Sequence, residues 1–195
     1  MIPTYSAYKM TFLRNTLYFF RKHFAVIIAV GLIASFGRVI QLGGFGKISS
    51  TTNVVLEIFV ETARLSLFLY VLGMANIKNG ILQIRNFVTN RESRKSQWQT
   101  GIRNIKHHWA LILLNIVGFA FIIWALNFLI DVLAYQTCLY LTLKKDGILA
   151  PSSSEWTILL FFKNLSVIPF TIVFETLLLL WITKRPSRFR PAMDF

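Results

Sequence analysis

Four apolar runs, each long enough to cross a lipid bilayer, constrain this chain more than any other feature. A helix of ~20 residues at ~1.5 Å per residue covers ~30 Å of hydrocarbon, so a run of about 18 apolar residues is a candidate span. The runs occupy 24–46, 54–77, 109–133 and 156–183. The third continues as an apolar extension to 143, and Pro169 lies inside the fourth. A proline within a helix removes one backbone hydrogen bond and bends the axis. The reading is an all-α integral membrane protein with four transmembrane helices.

Composition agrees. Of the 195 residues, 55% are hydrophobic and only 15% charged, whereas soluble domains carry about 25% charged residues. The 18 Phe, 5 Trp and 6 Tyr exclude a disordered chain. The net charge of +13 would suit a nucleic-acid partner, but its distribution fits a membrane better. Fifteen Lys and Arg residues fall before the first run, between the second and third, and after the fourth. Only Lys47, Lys144 and Lys145 lie in the connections on the other side. Basic loops stay in the cytoplasm, so both termini are expected there, in a bacterial inner membrane or its equivalent.

The basic segments carry helical stripes. Met10, Leu13, Leu17, Phe20 and Phe24 recur at spacings of three and four, as do Ile77, Ile81, Ile84 and Val88, and Trp98, Ile102, Ile105 and Trp109. The pattern predicts basic amphipathic elbow helices over 9–23 and within 78–108, lying against anionic headgroups. Arg14, Arg21, Lys22, Arg103, Lys106, Lys184 and Arg185 are the expected headgroup contacts. The polar stretch 89–97 reads as an exposed turn, 144–155 as an outer loop, and 184–195 as a basic tail. His23 before Phe24-Ala25 resembles His108 before Trp109-Ala110, each closing a basic amphipathic segment and opening an apolar one.

Charges inside the runs are the most informative residues. Each costs at least ~2.5–3.5 kcal/mol near the bilayer centre and therefore pairs or faces water. Arg38, Glu57, Glu61, Arg64, Asp131, Lys163 and Glu175 are the set. The first six gather in the outer half and balance, three acids against three bases; Glu175 lies deeper without an assigned partner. Balance favours interhelical pairing over a polar path, since a selectivity site carries a net sign. Asn115, Asn127 and Asn164 add interhelical hydrogen-bonding capacity.

No catalytic constellation, phosphate loop or metal-ligand spacing accompanies these charges. The expectation is a non-enzymatic accessory or scaffolding subunit of a larger membrane complex. No cofactor or metal is expected; the partners are anionic lipids and other membrane subunits or further copies, not nucleic acid. The alternative is a small homo-oligomeric channel or transporter that uses the charge cluster.

Overall fold

A computed structural model describes residues 11–183. The described residues are helical, without strands. Helices α1 (Thr11–Lys22), α2 (Phe24–Gln41), α3 (Ser50–Leu72), α4 (Ile77–Thr89) and α5 (Arg91–Asp131) lead to a π-helical turn at Val132–Gln136. Then come α6 (Leu139–Lys145), α7 (Glu155–Phe162), a second π turn at Lys163–Val167, and α8 (Ile168–Thr183). Three stretches are long and apolar enough to cross a membrane: Phe24–Gln41, Arg91–Gln136 and Glu155–Thr183. Helix α3 has the length, 23 residues, but carries Glu57, Glu61 and Arg64.

The chain forms two compact units. One comprises Phe24–Leu67 and Ile122–Thr171. In it α2 packs on α7 and the second π turn through small side chains: Gly31, Ala34, Ser35 and Gly37 are all buried. Small residues let helix backbones approach where lipid supplies no hydrophobic drive. A methyl group on Gly37 would stand 2.5 Å from Cγ2 of Val60 on α3. One on Gly31 would stand 3.3 Å from the Asn164 carbonyl and 3.4 Å from that of Leu165. That carbonyl lacks its usual helical donor, because Pro169 has no N–H. The expected proline defect is thus a π turn just ahead of Pro169. Ser35 Oγ lies 2.9 Å from the Phe161 carbonyl and 2.8 Å from that of Gly31. Val39, Ile130, Ala134, Leu149, Ile158 and Leu159 form the apolar core of this unit.

The described part of the other unit is 11–23, Phe68–Phe121 and 172–183. Phe12 of α1 meets Trp181 edge-on at 5.0 Å. The Leu13 amide, in the first turn of α1 where no helical acceptor exists, donates to Asn115 Oδ1 at 3.2 Å. Asn104 Nδ2 donates to the Ile182 carbonyl at 2.9 Å. Phe119 stacks on Phe174 at 4.0 Å.

Several boundaries differ from the sequence reading, each for a physical reason. The first apolar run stops being helical at Gln41, because the chain turns through Gly43 at φ +70°. The second helix begins at Ser50 rather than 54, where Ser49 Oγ accepts the Thr52 amide at 3.1 Å, and ends at Leu72 ahead of Gly73. The stretch 89–97 is not a turn. Asn90 alone breaks the chain, accepts the Ser93 amide on Oδ1 at 3.0 Å, and caps α5. The Glu, Arg, Lys and Gln residues that follow are good helix formers, so polarity here marks an exposed helix. Likewise 134–143 is not one extension, since Cys138 at φ +52° separates the first π turn from α6.

The expected stripe of α1 is only partly its packed face. Phe12, Leu13, Thr16 and Phe19 are buried, while Leu17 and Phe24 are about half exposed. In a membrane environment both faces of a helix can be apolar, so periodicity does not tell which ridge packs. Lys9 and Met10, Lys184 and Arg185, and the tail 184–195 lie outside the described residues.

Candidate functional site

The candidate site is the cluster of charges expected inside the apolar runs, and the structure draws together four of its members. Arg38 comes from α2; Glu57, Glu61 and Arg64 follow one another on a single face of α3 at helical spacing. Arg38 grips Glu57 with both ends of its guanidinium: Nη1 donates to Oε2 at 2.5 Å and Nη2 to Oε1 at 2.9 Å. This two-pronged arrangement is the strong, orientation-specific form of an ion pair. The same Nη2 donates to Glu61 Oε1 at 3.1 Å. Glu61 also accepts from Arg64 Nη1 at 2.5 Å. Arg64 Nη2 then donates to Asn164 Oδ1 at 2.7 Å, ending the chain on the second π turn. Asn164 Nδ2 is engaged by the Leu160 carbonyl at 2.7 Å. Arg64 Nε is buried and makes no hydrogen bond.

Two arginines face two glutamates, so the network is neutral. The arginine side chains are 20% and 24% exposed, the glutamates 48% and 51%, so the cations sit inside and the carboxylates at the rim. These contacts are the ion pairs among the described residues.

Gln41 belongs to the network although its sequence context did not single it out. Its Oε1 accepts from Arg38 at 2.8 Å, and its Nε2 lies 3.0 Å from Glu57 Oε2 and 3.1 Å from the Asn53 carbonyl. The available signal was its position three residues after Arg38, on the same helix face.

Asp131, Lys163 and Glu175 do not join. Asp131 and Glu175 are exposed, Lys163 is half-buried, and none makes an ion pair among the described residues. Of the expected asparagines, Asn115 and Asn164 bond to other helices, whereas Asn127 Nδ2 donates to its own helix at Ile123.

The expected headgroup residues Arg14, Arg21, Lys22, Arg103 and Lys106 are exposed. The apolar stripes beside them are also uncovered. Ile77, Ile81, Ile84 and Val88 on α4 are exposed, as are Trp98, Ile102, Ile105 and Trp109 on α5. What the amphipathic part of α5 buries is instead Gly101 and Asn104. It passes into the apolar part through His108, whose φ of −120° and ψ of 21° are not helical. His23 marks the corresponding junction between α1 and α2. Its Nδ1 lies 2.9 Å from the Tyr70 hydroxyl. Burial, and secondarily Lys22, hold its imidazole below the ordinary histidine range.

The fold of the described residues is all-helical, with three helices long and apolar enough to cross a membrane, consistent with a multi-pass membrane protein. No family model, curated protein or solved structure matches it.

Proposed function

We propose that the chain is a non-enzymatic accessory or scaffolding subunit of a larger membrane complex, crossing the membrane four times with both termini cytoplasmic. One observation carries this reading: the Arg38–Glu57–Glu61–Arg64–Asn164 network is neutral, and every charged group in it is held by another member, with Arg64 Nε the one buried donor left over. A path for ions needs groups that exchange partners. A network held by bidentate and bridging bonds suits a fixed arrangement of helices. It also lets α3 cross, because Arg38 offsets the carboxylates that would otherwise oppose insertion.

The uncovered stripes of α4 and of the first part of α5, with Arg85, Arg94, Arg103 and Lys106 around them, fit elbow helices lying in the anionic interface. The fifteen-to-three bias of basic residues orients the chain.

The test is extraction of the full chain in native-lipid particles, followed by composition and size analysis. Stoichiometric recovery with a larger, different membrane protein supports the subunit reading. A ring of identical chains that passes ions when placed in liposomes supports the channel instead. Reporter fusions at Arg190 and Lys144 test the orientation, with the first inside and the second outside.

A further inference from the structure

Helix α8 has two unlike faces. Val173, Phe174, Leu177 and Leu180 are buried, at the spacing of one helical stripe. Glu175, Leu178, Leu179 and Ile182 fall on the other side and are exposed or half-covered. Glu175 is thus a carboxylate on the outward face of an apolar helix, with no hydrogen bond or ion pair among the described residues. It lies eight residues before the last residue of α8, about 12 Å along the axis. A glutamate side chain is too short to reach the polar boundary over that distance, unlike a lysine or arginine. The outward face of α5 in the same unit is different: Leu113, Leu114, Val117 and Phe121 are exposed and wholly apolar, which suits lipid.

We propose that the face of α8 around Glu175, Leu179 and Ile182 is the docking surface for a membrane-spanning helix of a different protein that carries a lysine or arginine at the depth of Glu175. The inference rests on the subunit reading above and names its contact. Charge complementarity selects the partner. A carboxylate facing hydrocarbon is costly, and a cation opposite converts that cost into a strong, position-specific attraction. Among the described residues of the spans, a second copy of this chain offers no free cation near Glu175. Arg38 and Arg64 are already engaged with Glu57 and Glu61, and Lys163 lies twelve residues earlier in the sequence, more than three helical turns before Glu175.

The experiment places the photo-cross-linker p-benzoylphenylalanine at Leu179 of the full chain in its native membrane and identifies the joined peptide. The expected product is an apolar segment of another protein with Lys or Arg within one helical turn of the cross-link. Glu175→Gln and Glu175→Lys should each lower its yield about tenfold or more. Exchanging the partner's basic residue for Glu should restore the yield with Glu175→Lys. Val117→Leu on the lipid-suited face of α5 should change nothing. Cross-links only to lipid or to a second copy overturn the proposal. So does a partner segment without a basic residue, a Glu175→Gln yield equal to that of the original chain, or a charge exchange that restores nothing. If a partner is indifferent to Glu175, or none is cross-linked at Leu179, this inference falls and the subunit reading stands; the subunit reading falls only when no different membrane protein is recovered with the full chain.

Discussion

Arg64 and Asn164, 100 residues apart, are joined by a 2.7 Å hydrogen bond from guanidinium Nη2 to amide Oδ1. The bond ties α3 to the π turn preceding Pro169, and Glu61 shares the same guanidinium at 2.5 Å. Removing the amide leaves a charged donor without its partner. Asn164→Leu is therefore expected to destabilise the fold by about 1–3 kcal/mol. A double-mutant cycle with Arg64→Leu should return a coupling of about 0.6–1.7 kcal/mol, the range of interhelical polar contacts in membranes. Unfolding in mixed micelles measures both, and additive effects would show that the bond carries no coupling.

Arg38 engages both glutamates of α3, so its loss should matter more than the loss of either acid. Arg38→Leu leaves Glu57 without a cation and Glu61 with Arg64 alone, and an unpaired carboxylate adds about 2.5–3.5 kcal/mol against insertion at the membrane centre. A reporter fused after Leu72 should show α3 failing to cross in most chains. Adding Glu57→Gln and Glu61→Gln should restore most of the crossing. Unchanged insertion with Arg38→Leu would separate the network from topology.

Gly37 allows α2 and α3 their close approach. A methyl group there would stand 2.5 Å from Val60 Cγ2, so the Val60 side chain or one of the helices must shift. Gly37→Ala is expected to destabilise by about 1–3 kcal/mol, in the range of overpacked cores. Val60→Ala in the same chain should recover most of that loss, as measured by unfolding in mixed micelles. Absence of recovery would place the clash elsewhere.

His23 gives a pH dependence. The Tyr70 hydroxyl lies 2.9 Å from His23 Nδ1, and burial with Lys22 lowers the proton affinity of the imidazole in the fold. The unfolded chain then binds more protons, so this contribution makes stability rise with pH. It is complete above about 6.5 and is lost as pH falls from there through the lower folded value. The difference in unfolding midpoint between the original chain and His23→Gln should therefore narrow on acidification from pH 8 to pH 5. A pH-independent difference would mean that His23 does not titrate differently on folding.

The legible parts of the fold were those set by single residues with strong local effects. The junctions at His23 and His108, the defect ahead of Pro169, and the pairing capacity of Arg38, Glu57, Glu61 and Arg64 follow from length, charge and backbone chemistry. What escaped depends on neighbours distant in sequence. Whether Leu17 or Phe19 packs is decided by the element opposite, because both ridges of α1 are apolar. Asp131 and Lys163 were expected in the same half of the membrane as the network, yet neither makes an ion pair with it. The helix over 91–97 was hidden by its polarity, although Asn90 is a strong capping residue.

The most direct test of the whole account is native mass spectrometry of the full chain released from native-lipid particles. The account predicts one or a few copies of this chain bound to a different, larger membrane protein in fixed ratio. A closed ring of this chain alone, or a chain that leaves the membrane singly, would contradict it.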